Sequence, residues 1–203
     1  MAVTVDGHPR TYEEAMADFG NWSTDFETVV DPLRRAARIM AAMAHVMAEV
    51  IETQTKAVTR ISDRMAVTND VLKLVNEGAT RQKDKETEEF PWMTGTEQEL
   101  AVVISVLKAT GIKSDQDAPA GEAMYRVTQD ASGQWTIHTT GRNLEHMQLA
   151  IQTDLEKLGS TQQNDQMRVQ TAVGRYNATF ELISSLIKKS ETQTDTVGNG
   201  IRT

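Results

Sequence analysis

An apolar stripe with heptad spacing runs along the C-terminal part of the chain and limits what the chain can fold into. Its members recur at alternating steps of four and three residues. That spacing places side chains on the face of a helix that packs against a second helix. A stripe this long needs a partner that covers it. The residues of this predicted seam are Val169, Val173, Tyr176, Phe180, Ile183 and Ile187, continued in a more polar form by Ser190, Thr194, Val197 and Ile201.

A second heptad pattern, earlier in the chain, supplies the expected partner. Asp31 and Pro32 predict a helix start, with the carboxylate as N-cap and proline at the first helical position. Neither glycine nor proline follows until Gly78, so one long helix is predicted. If the two stripes pair, Ile61 and Phe180 should both be buried. The stripe of this helix comprises Leu33, Ala36, Met40, Met43, Met47, Val50, Gln54, Ala57, Ile61, Thr68, Val71 and Val75.

The region between the two long helices predicts a small mixed insertion. Thr96 and Glu99 have the spacing of a capping box and open a short helix that ends at Gly111. Two alternating segments, 125–129 and 134–139, flank a turn and predict a β-hairpin. We expect the insertion to make outward contacts rather than to hold the long helices together. The inner face of the hairpin is expected to consist of Tyr125, Val127, Trp135 and Ile137, packed on Leu100 and Leu107.

The predicted fold is therefore mainly α, a long antiparallel helical hairpin (coiled coil) with a small α+β insertion. The second long helix is expected to begin at an Asn143 cap and to kink or break near Gly159. A short helix between Thr11 and Gly20 and a possible staple by Trp22 and Phe26 are expected in the N-terminal arm. The predicted segments are the arm (1–30), the first long coiled-coil helix and connector (31–85), the insertion (86–141), and the second long coiled-coil helix with an assembly tail (142–203).

Composition argues against several classes of function. A formal net charge of -8 disfavours nucleic acid and anionic membranes as partners, since both attract clustered Lys and Arg. The absence of cysteine excludes disulfides, thiol chemistry and cysteine-based metal sites. No segment has the apolar length of a membrane span, and Met1–Arg10 lacks the apolar core of a signal peptide. We therefore expect a soluble protein that is not exported by the general secretory route.

The sequence contains no pattern that predicts catalysis. It lacks a Gly-rich phosphate loop, a nucleophile elbow and a helix with zinc-protease spacing. His45 and Glu49 are one helical turn apart and could share an ion, but such a pair on a long amphipathic helix is far more often a solvated surface. We expect a protein that is not an enzyme and that has no cofactor and no metal site.

Several short residue groups lie between Leu158 and Arg202, namely Leu158 to Gln163, Met167-Arg168, Arg175 to Asn177, Phe180, Ile187 to Lys189, and a polar tail ending near Gly200 to Arg202. With them, this stretch resembles the C-terminal helix of type III secretion needle-tip and translocon-filament proteins, above all the small filament-forming tip proteins of the EspA type. The resemblance covers about a quarter of the chain. Elsewhere only the architecture agrees, and neither the arm nor the insertion carries a family motif.

The resemblance implies a structural component of a type III secretion apparatus. Such a protein is secreted and assembles at the needle tip, on the bacterial cell surface, as a ring or filament that supports translocator pore insertion and effector delivery into host cells. The implied partners are further copies of the chain, the needle subunit, pore-forming translocator proteins and a cytoplasmic secretion chaperone, with no nucleic acid. The alternative is an intracellular coiled-coil adaptor or chaperone-like protein, which would share the heptads and the acidity.

Overall fold

A computed structural model describes residues 4–5, 8–9, 32–82, 86–119 and 121–200, with the side chains of 4, 5, 8, 9, 32, 34 and 194–200 left aside. The predicted helix between Thr11 and Gly20, the Trp22–Phe26 staple and Ile201 lie outside the described residues. The elements, in chain order, are β1 (Thr4–Val5), β2 (His8–Pro9), α1 (Pro32–Arg81), β3 (Phe90–Gly95), α2 (Glu97–Ala109), β4 (Tyr125–Gln129), β5 (Trp135–Thr139) and α3 (Gly141–Gly200).

The described part is thus mainly helical, with a small three-stranded antiparallel sheet. α1 matches the predicted first long helix, and every member of its predicted stripe is buried or half-buried. Gly78 lies inside α1 rather than at its end, because the helix continues to Arg81. The absence of a side chain at Gly78 serves packing: a Cβ there would stand 2.6 Å from Trp92 Cδ1 and 3.2 Å from Leu144 Cδ1.

α3 differs from the predicted second long helix in two respects. It is continuous through Gly159, so no break interrupts the helix there. It also begins before Asn143, because the Thr140 hydroxyl accepts the Asn143 N–H at 3.2 Å and so acts as the cap. The Asn143 amide instead donates to the Met124 carbonyl at 2.9 Å, which ties the start of α3 to the segment before β4.

The insertion contains the predicted elements and one strand that the sequence analysis missed. The Thr96–Glu99 capping box opens α2, and Gly111 follows it with a φ of 82°, in the left-handed region that glycine tolerates. β4 and β5 form the predicted hairpin. β3 pairs with the other edge of β5, giving the strand order β3-β5-β4. The pairing shifts register between Pro91 and Met93, as expected where a proline cannot donate to the ladder.

The chain divides into two compact units, Met1–Arg60 with Gln163–Thr203, and Ile61–Gln162. In the second unit α1 and α3 run antiparallel, because the Gln162 amide donates to Ser62 and Gly159 lies near Met65. Strand and helix residues of the insertion share one core with both long helices. The insertion therefore helps to hold the long helices together in this unit, and that part of the expectation is wrong. This core comprises Val71, Val75, Phe90, Leu100, Val103, Val106, Leu107, Ile112, Tyr125, Ile137, Leu144, Met147 and Ile151.

Candidate assembly surface

The first unit contains the C-terminal half of α3, where one face of the helix is covered within the chain. Its members follow alternating steps of three and four residues, as a coiled-coil seam requires. Small and polar residues are prominent among the buried ones, and small side chains let a neighbouring backbone approach closely. This inner seam consists of the half-buried Val169, Tyr176 and Leu186 and the buried Ala172, Thr179, Ile183 and Ser190.

A contact between Thr179 and Met47 shows what covers the inner seam. Met47 is buried on α1, and the Thr179 hydroxyl lies 3.8 Å from its sulfur. The same hydroxyl is also 2.9 Å from the Arg175 carbonyl one turn earlier on α3. Thr179 is therefore a buried polar residue whose hydroxyl is satisfied by its own helix while its side chain faces α1.

Three residues of the predicted seam instead lie on the neighbouring, exposed face of α3. Val173 is 37% exposed, Phe180 55% and Ile187 46%. They recur every seven residues along one side of the helix, and we call these three residues the outer stripe. The expectation that these residues, Phe180 above all, are covered within the chain is therefore wrong. Ile61, the other residue expected to be buried, is half-buried.

The outer stripe is exposed because successive residues of an α-helix are rotated by about 100° about its axis. Each outer-stripe residue directly follows a member of the inner seam, as Phe180 follows Thr179. One step along the sequence therefore decides which residue of each pair faces α1. The smaller residue is buried in the pairs Ala172–Val173 and Thr179–Phe180. The bulkier side chains are left towards solvent.

Tyr176 connects the inner seam to the outer stripe. Its ring centroid lies 6.0 Å from that of Phe180 with a tilted interplanar angle of 36°, within the range of favourable aromatic pairs. The half-buried Tyr176 thus supports Phe180 in an outward position. Phe180 also lines a shallow, open depression of about 830 Å³ on this helix, whose other lining residues are Tyr176, Asn177, Glu181, Ser184, Ser185, Lys188 and Lys189.

The remaining predicted seam residues are placed only in part. Ile183 is buried, and Val169 and Tyr176 are half-buried, all in the inner seam. The helix carries Thr194 and Val197, whose side chains are not described, and Ile201 lies outside the described residues. α3 runs to Gly200, so the helix continues well beyond Lys189.

Ionisable groups with shifted pKa values serve local structure. Hydrogen bonds from the backbone and hydroxyl of Thr96 lower the pKa of Glu99, as a capping box does. Ser132 and the backbone N–H of Gln134 lower the pKa of Asp130 in the hairpin turn. Lys108 and Ser114 lower the pKa of Asp117. All three carboxylates are held in the charged form, which is the reverse of what a general acid near neutral pH needs.

Other candidate sites are weaker than the outer stripe. His45 Nε2 lies 3.6 Å from Glu49 Oε1, but both side chains are exposed, at 69% and 50%. Among the described residues, no group of three or more His, Cys, Asp or Glu is arranged to hold a metal ion. Within the same residues, no helix has the length and apolar character needed to cross a membrane.

Comparisons of this chain with protein-family models, with curated proteins and with solved structures found no match in any of the three. Function must therefore be argued from the surface itself. Of the described large apolar residues that are exposed, more than half lie on α3 from Met167 onwards. That concentration makes the C-terminal half of α3 the leading candidate for a contact with another molecule.

Proposed function

We propose that the chain is a structural subunit that assembles with copies of itself through the outer stripe. The observation that carries the proposal is that Val173, Phe180 and Ile187 form an exposed apolar band beside a seam that is already covered. A helix that needed only an intrachain partner would place polar residues at these positions. An exposed band of heptad spacing suits a second helix of the same kind.

In this proposal the inner seam makes a contact within the chain, and the outer stripe makes a contact between copies. The inner seam of α3 and the stripe of α1 pair within one chain as a long antiparallel helical hairpin. The Met47–Thr179 contact in the first unit and the Ser62–Gln162 contact in the second support this pairing. The outer stripe is then free to contact a different surface of the next copy. Such head-to-tail contacts build a ring if the rotation closes and a filament if it does not.

The stretch from Leu158 to Arg202 resembles the C-terminal helix of type III secretion needle-tip proteins, and this resemblance supports a particular cellular setting for the assembly. We place the chain at the tip of a type III secretion needle, secreted to the bacterial cell surface, where it supports translocator pore insertion and effector delivery. Its partners there would be the needle subunit and pore-forming translocator proteins, after release from a cytoplasmic chaperone. In this role the chain is not an enzyme and needs neither a cofactor nor a metal.

The assembly is tested by changing the outer stripe while leaving the inner seam intact. Phe180→Ser should leave the helical content of the free chain unchanged and abolish rings or filaments in electron micrographs and in sedimentation. Leu149→Ser is the matched control, because Leu149 is also an exposed apolar residue of α3, at 64%, but lies outside the stripe. Normal assembly of the Phe180→Ser chain would remove the outer stripe from the mechanism.

The setting is tested separately from the assembly. The chain should appear in culture supernatant under secretion-inducing conditions and should disappear from it in a mutant that lacks the secretion apparatus. Retention inside the cell in both strains would support the alternative, an intracellular coiled-coil adaptor or chaperone-like protein. That outcome would leave the result of the Phe180→Ser experiment unaffected, so the two parts of the proposal can fail independently.

A further inference from the structure

The sheet in the second unit has an edge strand, and only some of the backbone groups on its outer side are hydrogen-bonded. β4 is at the edge, and the Asp115 N–H donates to the Tyr125 carbonyl at 3.0 Å from outside the sheet. Alternate residues of a strand direct their backbone groups to the same side. The N–H and C=O groups of Val127 and Gln129 therefore point to the outer edge as well. Within the described residues, no backbone group pairs with them there.

The hairpin turn supports this assignment of direction. The Asp130 N–H donates to the Gln134 carbonyl at 2.9 Å, so the backbone groups of this even-numbered residue point towards β5. Arg126 and Thr128 share that parity and lie opposite His138 and Thr136 of β5. The backbone groups of Arg126 and Thr128 therefore pair with β5 within the hairpin, whereas those of Val127 and Gln129 point to the outer edge.

A groove lies next to this open edge. α2 packs mainly over β3 and β5, which leaves the inner face of β4 partly uncovered. The groove between α2 and β4 has a volume of about 420 Å³. Its apolar lining includes Ile104, Val127 and Trp135, all half-buried. Lys108 lines it too, but its Nζ is 2.9 Å from Asp117 Oδ2, so this cation is already paired.

We propose that the β4 edge and its groove bind an extended segment of a partner protein. The segment adds a strand beside Val127 and Gln129 and places one uncharged, bulky apolar side chain in the groove. An extended chain is the occupant that suits both features, because a helix uses its backbone donors and acceptors internally. The apolar lining favours an apolar anchor, and the paired Lys108 together with the carboxylate of Glu97, which also lines the groove, disfavours an acidic one.

A second copy of this chain fits the surface less well. If its β4 joined the edge, its Tyr125 would remain 2% exposed beneath its own helix, and its half-buried Val127 would face its own groove. The added strand would then bring no free apolar side chain for the neighbouring groove. This surface is also separate from the outer stripe, because its residues belong to the other unit of the chain.

The probe is a displayed library of linear peptides with alternating randomised apolar and polar positions, selected against the full chain. A synthesised peptide that binds should shift the amide resonances of Val127 and Gln129 and slow the exchange of their amide protons with solvent. The amide protons of Arg126 and Thr128, which already pair with β5, should exchange at an unchanged rate. Methylating the peptide nitrogens that face β4 should weaken binding by about tenfold or more, because each methyl group removes a hydrogen bond and adds a steric clash with the strand.

Two substitutions on α2 separate the groove from the rest of the helix. Ala101 is exposed at the groove, and Ala101→Lys should reduce binding without unfolding the chain. Val102, 48% exposed on the same helix, does not line the groove, and Val102→Lys should bind the peptide normally. Failure to select any peptide, or binding that leaves the Val127 and Gln129 amides unchanged, would overturn the proposal. Self-association that Ala101→Lys abolishes would overturn the choice of occupant.

Discussion

Replacing Gly78 by alanine should destabilise the second unit, although alanine is the better helix former. Helix propensity alone predicts a gain of about 1 kcal/mol. The added Cβ, however, would stand 2.6 Å from Trp92 Cδ1 and 3.2 Å from the fully buried Leu144. Overpacking of this kind costs about 1–3 kcal/mol. Displacing the indole also weakens the Trp92 Nε1 hydrogen bond to the Leu74 carbonyl, 3.4 Å long, by about 1 kcal/mol.

The sum predicts a net loss of about 1–3 kcal/mol for Gly78→Ala, measured by urea denaturation followed by circular dichroism. Gly159→Ala is the matched control in the same unit, because only Met65 Cε lies near its Cβ, at 3.9 Å. It should gain up to about 1 kcal/mol. In a Trp92→Ala background the penalty of Gly78→Ala should largely disappear. A Gly78→Ala chain as stable as the Gly159→Ala chain would refute the packing argument.

Two further predictions concern the second unit. Leu144→Ala should cost about 2–5 kcal/mol in urea denaturation, because Leu144 is fully buried where α3 meets the insertion; a loss below about 1 kcal/mol would contradict that shared core. The lowered pKa values of Glu99 and Asp130 contribute stability that is present above their ordinary values of 4.5 and 3.8 and is lost as the pH falls through the folded-state values. Thermal unfolding midpoints should therefore fall on acidification below about pH 4.5, and Glu99→Gln should reduce that dependence. An unchanged pH profile in the Glu99→Gln chain would argue against the capping contribution.

The stripe of the first long helix could be predicted from its heptad spacing, because each of its members is buried or half-buried even though Val67 and Leu74 on the same helix are exposed. The neighbouring Val46, Ile51 and Leu72 are half-buried as well, so the covered side of this helix is broader than the stripe and includes it. α3 offers two adjacent faces instead. Val173, Phe180 and Ile187 satisfy the heptad as well as Ala172, Thr179 and Leu186 do. The choice between them depends on how closely α1 approaches, which is a property of the packed pair rather than of either sequence.

The insertion shows a similar limit. Its capping box, its glycine stop and its hairpin are set by local chemistry, and the sequence predicted each of them. β3 was missed because Phe90–Gly95 contains a proline and lacks alternation. It becomes a strand because the second edge of β5 is available to pair with it. Its Trp92 also seats against Gly78, far away in sequence. Long-range partners of this kind leave no local signal.

The most direct test of the account is whether another copy covers Phe180 in the assembly. Because the sequence has no cysteine, a single cysteine introduced at a chosen position is the one thiol that a reagent can label. Phe180→Cys and Ile183→Cys chains are each treated with a maleimide, once as dilute free chain and once after assembly. We expect Cys at 180 to react rapidly in the free chain and to be protected in the assembly. Cys at 183 should react slowly in both, because Ile183 is only 9% exposed. Equal, rapid labelling at position 180 in the free and assembled forms would contradict an interface built on the outer stripe.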